Sequence, residues 1–278
     1  MILVTGGTGR VGRHVVAGLL ERGMAVRVLT RDPERARDLL GDGAEMVKGD
    51  FTQPATLAPA VAGVERVYLV TPGAPDQVQQ ERNVVEAARR GGVSHIVKQS
   101  VIGASAESPS ALVRWHAEAE RVVEVSRLSY TFVRPTLFMQ LAAELVGADG
   151  AIYSSVGEAR LGFVDTRDVA AVAIAGLTSR WHEGKTYTVT GPEALTWREA
   201  AARLSSTDRP VRYVPVPEEA ARQSLASFMP EWRVEPTLEF NREIAGGLMD
   251  AITGAVEAVT GTRPRSFADY VRDMAAAP

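Results

Sequence analysis

The stretch Thr5-Gly6-Gly7-Thr8-Gly9-Arg10-Val11-Gly12 lies between a short apolar segment and a helical pattern. The preceding residues 1–5 are typical of a buried strand, and apolar residues then recur at helical spacing until Gly23. Glycines at every third position allow a tight turn, close approach of the backbone to a ligand and close contact between helix and strand. The stretch therefore predicts the first strand-to-helix turn of an α/β fold.

Strand-like and helix-like segments continue to alternate through the first half of the chain. Apolar patterns predict strands at residues 25–29, 45–47, 67–70, 95–98 and 130–133, with helices at 55–61, 77–90 and 110–125. Asp32-Pro33 predicts the N-cap and first turn of a further helix. Because strands that alternate with helices form parallel units with right-handed crossovers, the sequence predicts a Rossmann-type doubly wound parallel sheet.

The pattern becomes less regular after about residue 138, and this change predicts how the chain is divided. Residues 1–150, with a late strand near 185–191, are expected to form the Rossmann domain, and residues 151–278 are expected to form mostly a smaller, interleaved C-terminal substrate lobe. Within this second part, residues 152–164 predict a short hairpin. Asp165-Thr-Arg-Asp168 resembles a capping box before an alanine-rich helix.

The composition excludes several kinds of chemistry. The 278 residues include no cysteine, which excludes disulfides, thiolate nucleophiles and zinc–thiolate sites, and four scattered histidines do not suggest a metal site. With 31 basic and 34 acidic side chains the net charge is -3, so neither nucleic acid nor a membrane is an expected partner. Neither a long apolar run nor a signal-peptide pattern is visible, which predicts a cytoplasmic protein. The basic residues are nearly all arginine, a bias typical of a GC-rich bacterial genome.

The glycine-rich turn also predicts the ligand. Backbone N–H groups at the start of a helix attract an anion, and glycines at this point of a Rossmann sheet are typical of a site for the pyrophosphate of a dinucleotide. We therefore expect Gly6, Gly9 and Gly12 to form such a site. The alternative is a glycine turn that serves only the fold.

The residues that follow the second strand bear on which dinucleotide is bound. An NAD site usually carries a carboxylate about 20 residues beyond the glycines, where it accepts hydrogen bonds from the ribose. Here Arg31 stands nineteen residues after Gly12, and an arginine can pair with the 2′-phosphate of NADP(H), with Arg10 and Arg35 as possible helpers. Asp32 is also present, but the proline that follows makes it a natural helix cap. The residues favour NADP(H), and the alternative for Arg31 is a solvated turn arginine.

The sequence resembles the NmrA-like group of atypical short-chain dehydrogenases/reductases, and within it the branch of triphenylmethane reductases and type 2 NAD(P)H:quinone oxidoreductases. The resemblance covers nearly the whole chain and is more specific for fold and cofactor than for substrate. The matching stretches are Val4-Thr-Gly-Gly-Thr-Gly-Arg-Val-Gly12, Lys48-Gly-Asp50-Phe51, His95-Ile-Val-Lys-Gln-Ser100, Tyr130-Thr-Phe-Val-Arg-Pro135, Gly162-Phe-Val-Asp-Thr-Arg-Asp-Val-Ala170 and Thr260-Gly-Thr-Arg-Pro-Arg-Ser-Phe-Ala-Asp-Tyr270.

This resemblance implies contacts with each part of the cofactor. The residues implied to face the pyrophosphate are Gly6, Thr8, Gly9, Arg10 and Val11. Those implied to border the adenine are Asp50 and Phe51, and those beside the adjacent ribose are Val70-Thr71-Pro72. On the nicotinamide side the resemblance implies Ser100, at the family's catalytic serine position, together with Pro135 and Thr136. The alternative for Asp50 is a residue that only stabilises the turn after its strand.

The sequence departs from typical short-chain dehydrogenases at the catalytic helix. Those enzymes carry Tyr-x-x-x-Lys, in which the lysine lowers the pKa of the tyrosine so that its phenol can transfer a proton. Here Trp115-His-Ala-Glu-Ala-Glu120 places His116 and Glu120 at the tyrosine and lysine positions, on one helical face. His116 is a candidate catalytic proton donor. The alternative is a polar residue that lines the pocket or contacts the cofactor.

Two classes of function remain in competition. The first is an NADP(H)-dependent oxidoreductase that transfers hydride to a small conjugated or aromatic acceptor (a quinone, a dye-like cation or a polyketide-type molecule), for which a strong general acid is less necessary. The second is a non-catalytic NADP(H)-sensing regulator that acts through a protein partner. An epimerase or dehydratase is ranked last because it needs the tyrosine–lysine pair. We expect a monomer or homodimer, with candidate pocket walls at Trp115, Phe138, Met139, Tyr153, Phe228, Met229 and Trp232.

Overall fold

The computed structural model describes residues 1–206 and 209–276 of the chain. Its strands are β1 (Ile2–Thr5), β2 (Val26–Thr30), β3 (Glu45–Lys48), β4 (Arg66–Leu69), β5 (His95–Gln99), β6 (Ser129–Pro135), β7 (Ala151–Ser154), β8 (Lys185–Val189) and β9 (Arg212–Pro215). Its α-helices are α1 (Gly12–Leu20), α2 (Pro33–Leu40), α3 (Ala58–Val61), α4 (Gln77–Arg90), α5 (Ala111–Val125), α6 (Met139–Glu144), α7 (Thr166–Thr178), α8 (Trp197–Leu204), α9 (Glu218–Ala226), α10 (Glu231–Ala245), α11 (Ala255–Thr260) and α12 (Phe267–Ala276). None of the helices in these residues is both long and apolar enough to cross a membrane.

Seven strands form the main sheet in the order β3-β2-β1-β4-β5-β6-β8. The pairs from β3 through β6 are parallel, and Val4 of β1 lies opposite Val28 on one side and Tyr68 on the other. The direction of the strand order therefore reverses beside β1, which is the topology of a doubly wound sheet. The predicted Rossmann-type fold is confirmed, and β8 at the sheet edge is the late strand expected near residues 185–191.

The central strands carry continuous apolar runs because helices cover both faces of a parallel sheet. All four residues of β1 are buried, and so are Val67, Tyr68 and Leu69 of β4. One core cluster joins strand residues to α4 and α5; its members include Leu3, Val67, Leu69, Val84, Val85, Ala88, Ile96, Val122, Val123 and Phe132. This packing holds the carboxyl ends of the strands in fixed positions.

Helix α2 begins where its sequence predicts. Asp32 is the N-cap, and its Oδ1 accepts a hydrogen bond of 3.1 Å from the Arg35 amide. Pro33 occupies the first helical position and Glu34 the first turn, where a negative charge is favourable. The side chain of Asp32 is thus engaged in capping, which leaves Arg31 as the charged side chain immediately after β2.

The chain divides into two compact units. The first comprises Met1–Val101, Trp115–Arg134 and Val169–Tyr187, and the second comprises Ile102–Arg114, Pro135–Asp168 and Thr188–Pro278. Because the chain passes between the units several times, no single position in the sequence separates them. The assignment of residues 1–150 to nucleotide binding and of residues 151–278 to substrate binding stays a prediction.

The second unit corrects the hairpin expected at residues 152–164. Strand β7 pairs in parallel with β9, and Ile152 lies opposite Tyr213. Parallel pairing excludes a hairpin, which is antiparallel by construction. The prediction of a strand in this region was correct, but the partner strand lies far away in the sequence.

The predicted capping box at Asp165-Thr-Arg-Asp168 is only half present. Asp165 Oδ1 accepts a hydrogen bond of 2.8 Å from the Arg167 amide, as an N-terminal cap does. Asp168 does not return a bond to the cap residue, because its Oδ2 accepts from the Arg265 amide at 2.7 Å and its Oδ1 from the Arg265 guanidinium. Asp168 therefore connects α7 to the segment before α12.

The candidate pocket walls of the second unit differ in exposure. Met139 is only 1% exposed and belongs to the core, so it is not available as a free wall. Phe228 and Trp232, beside α9 and at the start of α10, are 64% and 37% exposed. Tyr153 is exposed as well and donates its hydroxyl to Asp149 at 2.8 Å.

Candidate functional site

The glycine-rich turn lies between β1 and α1, at the carboxyl edge of the sheet. Gly6 has a φ of +58°, and a Cβ there would lie 2.6 Å from Val70 Cγ1. A Cβ on Gly12 would lie 2.1 Å from the Gly6 carbonyl oxygen. Side chains at these two positions are excluded by the backbone conformation and by the tight packing of the turn.

Some amides of this turn remain available to a ligand. The Gly9 amide donates to the Gly6 carbonyl at 2.9 Å, and the Arg13 amide to the Gly9 carbonyl at 3.2 Å. Within residues 1–206 and 209–276, the amides of Thr8 and Val11 have no hydrogen-bond acceptor. Unpaired N–H groups at the start of a helix suit an anion. The turn therefore fits the pyrophosphate of a dinucleotide.

Thr5 connects β1 to β4 at the point where the strand order reverses. Its hydroxyl accepts from the Val70 amide at 2.8 Å and lies 2.8 Å from the Val70 carbonyl, to which it donates. Ligands of doubly wound sheets bind in the crevice at this reversal. Thr5 is fully buried and therefore acts as a support for the turn.

Arg31 and Asp50 lie at the carboxyl ends of β2 and β3. Arg31 is exposed and has no hydrogen-bond or ion-pair partner among residues 1–206 and 209–276. Asp50 Oδ1 accepts from both the amide and the hydroxyl of Thr52, each at 2.8 Å. These hydrogen bonds, and secondarily the nearby charge of Arg31, lower the pKa of Asp50. Asp50 thus stabilises its own turn, while Arg31 stays free to bind a second anion.

The other residues implied to face the adenine and ribose differ in how accessible they are to a ligand. Phe51 is half-buried against the core cluster, and its carbonyl accepts from Asn83 Nδ2 at 2.8 Å. The Thr71 hydroxyl turns inward and donates to Glu81 Oε1 at 3.1 Å. Pro72, the next residue, is exposed. At the end of β4 the apolar ring of Pro72 is therefore more accessible than the Thr71 hydroxyl.

Ser100 follows β5, as the resemblance implies. It is 4% exposed, and its amide donates to the Val133 carbonyl at 2.7 Å. Among the described residues its Oγ has no hydrogen-bond partner. An unpaired buried hydroxyl is unfavourable, so Ser100 fits a polar group of a bound ligand. Pro135 belongs to the second unit, where its carbonyl accepts from the Ile102 amide, and its predicted cofactor role stays a prediction.

His116 and Glu120 lie on α5 but have different partners. His116 Nδ1 lies 3.3 Å from Gln77 Nε2 of α4. Glu120 instead forms a two-pronged ion pair with Arg134 of β6, with Arg134 Nε at 2.9 Å from Oε1 and the second contact to Oε2. Desolvation, and secondarily the charge of Lys98, hold the pKa of His116 well below its usual range. His116 is therefore a neutral imidazole near neutral pH.

A buried ion pair beneath this edge was not predicted. Lys98 and Glu81 have side chains that are 0% and 1% exposed, and Lys98 Nζ lies 2.9 Å from Glu81 Oε2. Glu81 Oε1 also accepts from Gln77 Nε2 at 3.1 Å. The signal is present in the sequence: Lys98 interrupts an apolar strand, and Gln77 and Glu81 are four residues apart on the buried face of α4.

Replacing Lys98 alone by Met is expected to destabilise the protein by about 3–5 kcal/mol, because it leaves a buried carboxylate without its cation. Urea unfolding of the single variant, and of the double variant Lys98→Met with Glu81→Met, measures the effect. The double variant is expected to regain most of the stability. Equal losses in both would contradict the pairing.

Comparison with known proteins agrees with this geometry. A family model described as NAD(P)H-binding matches residues 6–180. The chain is 39% identical over 282 residues to the NAD(P)H azoreductase of Xenophilus azovorans. The aligned region covers 100% of this chain and 99% of the relative. The Escherichia coli NADPH-dependent quinone oxidoreductase complexed with NADPH has a TM-score of 0.88 and 25% identity, covering 99% of both chains. The Citrobacter sp. triphenylmethane reductase complexed with NADP(H) has a TM-score of 0.84 and 28% identity, covering 98% of this chain and 99% of that one.

The family match, the full-length similarity and the reversal of strand order at the glycine turn point to one assignment. The unpaired amides of Thr8 and Val11 and the buried Ser100 hydroxyl suit the same class of ligand. The chain belongs to the NAD(P)H-binding family.

Proposed function

We propose that the chain is an NADP(H)-dependent reductase that delivers hydride to a small conjugated or aromatic acceptor, such as a quinone, an azo compound or a dye-like cation. The observation that carries the proposal is the full-length similarity to a relative named as an NAD(P)H azoreductase. The structural neighbours named for quinone and triphenylmethane reduction support the same class of acceptor.

The cofactor would be held by residues at the carboxyl ends of the first five strands. The turn amides of Thr8 and Val11 would bind the pyrophosphate, and Phe51 would border the adenine. Arg31 supports NADP(H) over NAD(H), because it is an exposed cation without a protein partner among the described residues. When bound, the reduced nicotinamide supplies the hydride. The chain itself supplies binding, orientation and exclusion of water.

The catalytic helix supports an acceptor that needs no strong acid. Glu120 is paired with Arg134 and does not act on His116 as the family's lysine acts on its tyrosine. His116 is neutral near neutral pH and retains one ring proton, so it can donate a hydrogen bond without being an imidazolium acid. A conjugated acceptor spreads the incoming charge over its own atoms. Ser100, with its unpaired Oγ, is the second polar group proposed for the catalytic site.

The exposed aromatic residues of the second unit support an apolar substrate. Phe228 and Trp232 flank the junction of α9 and α10, whose small core is Ala221, Val234 and Leu238. Exposed aromatic side chains at a junction between two helices suit planar, conjugated molecules. A cytoplasmic location and a monomeric or homodimeric state remain predictions of the sequence.

A spectroscopic screen tests the proposed activity. NADPH absorbance is followed with a panel of quinones, azo dyes, triarylmethane cations and enones. We expect oxidation of NADPH with at least one quinone or dye, and slower oxidation of NADH. Tight binding of NADPH without turnover of any acceptor would contradict the reductase and favour the cofactor-sensing regulator.

A further inference from the structure

Four buried or half-buried side chains of the first unit form a continuous chain of polar contacts. Lys98 Nζ lies 3.2 Å from Glu81 Oε1, which accepts from Gln77 Nε2 at 3.1 Å. The same Gln77 nitrogen lies 3.3 Å from His116 Nδ1. The contacts join β5, α4 and α5, so a change at Lys98 can reach His116 without direct contact.

The direction of each hydrogen bond follows from the ion pair. Beside the Lys98 ammonium, Glu81 is a carboxylate, and a carboxylate only accepts hydrogen bonds. The amide of Gln77 must therefore turn its nitrogen, with two protons, toward Glu81. The same nitrogen lies 3.3 Å from His116 Nδ1, so its second proton is available for donation to that ring nitrogen.

The protonation of His116 is determined by this contact. A ring nitrogen that accepts a hydrogen bond carries no proton, and a neutral imidazole carries one proton on its other nitrogen. Desolvation and the charge of Lys98 lower the pKa of His116, so the ring is neutral near neutral pH. The ring proton therefore lies on Nε2.

We infer that Gln77, oriented by the Glu81–Lys98 ion pair, is a positioning residue that fixes His116 as a neutral hydrogen-bond donor through Nε2. The role of this donor rests on the proposed function: it would hydrogen-bond to a carbonyl oxygen or azo nitrogen of the acceptor, where negative charge accumulates as the acceptor takes up hydride. Acceptors without such an atom, such as triarylmethane cations, would gain nothing from it.

The tautomer is measured directly by two-bond ¹H–¹⁵N correlation spectra of the full chain at neutral pH, without cofactor or substrate. The chain has four histidines, and the His116 signal is assigned by its loss in His116→Asn. We expect the pattern of a neutral ring protonated at Nε2. A neutral ring protonated at Nδ1, or an imidazolium, would overturn the inference without any further variant.

Two variants test the positioning step. Gln77→Met removes the donor to Nδ1, and the double variant Glu81→Met with Lys98→Met removes the group that orients Gln77 while keeping both Gln77 and His116. Both are expected to convert the single tautomer into a mixture. The matched control is Gln79→Leu, because Gln79 lies on the exposed side of α4 and its side chain donates to Asn83 at 2.9 Å, away from His116. A single Nε2–H tautomer retained in folded Gln77→Met would contradict the inference.

Kinetics separates this inference from the proposed function. Gln77→Met is expected to lower kcat/KM about tenfold for quinones and azo compounds, and to leave the KM for NADPH and the rate with triarylmethane cations unchanged. Equal losses for all acceptors would overturn the role of the donor. A wild-type protein that reduces no acceptor would contradict the proposed function, whereas the tautomer spectra would still decide the positioning of His116.

Discussion

Gly12→Ala is expected to weaken NADPH binding by about 100-fold or more, equivalent to about 2.8 kcal/mol. The added Cβ would lie 2.1 Å from the Gly6 oxygen, 2.8 Å from the Gly6 carbonyl carbon and 2.9 Å from Gly7 Cα. These are backbone atoms, so relief requires the whole turn to move. The amides of Thr8 and Val11 would then lose the arrangement that suits a pyrophosphate. Fluorescence titration with NADPH measures the effect.

Two further glycine variants make this result interpretable. A Cβ on Gly9 would lie 3.1 Å from the Gly6 oxygen, so Gly9→Ala is expected to weaken binding less than Gly12→Ala. Gly254 precedes α11 with a φ of -86° and has no atom within 4 Å of its added Cβ, so Gly254→Ala is the matched control and should bind NADPH as the wild type does. Wild-type affinity in Gly12→Ala would contradict the assigned pyrophosphate site.

Arg31→Gln is expected to raise the KM for NADPH at least about tenfold while the KM for NADH changes little. A hydrogen bond to a charged group contributes about 1.5–3 kcal/mol, and only NADPH carries the 2′-phosphate. Arg31 has no protein partner among the described residues, so its removal leaves no buried group unpaired. Steady-state kinetics with both cofactors, on an acceptor turned over by the wild type, gives the ratio of the two kcat/KM values.

Two control variants test whether the effect of Arg31→Gln depends on the guanidinium group and on its position in the chain. Arg31→Lys keeps the positive charge but loses the two-pronged geometry, and it is expected to retain part of the preference for NADPH. Arg37→Gln removes an exposed arginine of α2 that pairs with Asp42 at 3.4 Å, and it should leave both KM values unchanged. If Arg31→Gln keeps the wild-type ratio of kcat/KM for NADPH to kcat/KM for NADH, Arg31 does not bind the 2′-phosphate.

Local patterns in the sequence were sufficient to predict the parallel sheet and the position of the glycine turn. Helix α4 has the predicted bounds, and Asp32 caps α2 as its sequence indicates. These features depend on periodicity, on the cap residue and on the small size of glycine, all of which act within a few residues. The same patterns predicted strands within residues 152–164, but they could not predict that β7 pairs with β9.

The tertiary structure determined which side chains pair when the two residues are distant in the sequence. Glu120 was expected beside His116 because the two share a helical face, yet its carboxylate pairs with Arg134 of β6. Asp168 had the spacing of a capping box, yet it binds the Arg265 amide. A charged side chain that becomes buried takes whichever partner the fold brings within reach, and the spacing along one helix does not identify that partner.

The sequence by itself determined the class of fold, the position of the glycine-rich turn and the arginine proposed to bind the cofactor. The class of fold follows from strands and helices that alternate along the first half of the chain. The turn and the arginine each depend on residues within one strand–turn–helix unit. Only the tertiary structure decided that Lys98, Glu81 and Gln77 meet beside His116, because β5, α4 and α5 must first pack together. In that low-dielectric surrounding an unpaired charge or amide is costly, so the contacts between these elements determine the protonation of the histidine.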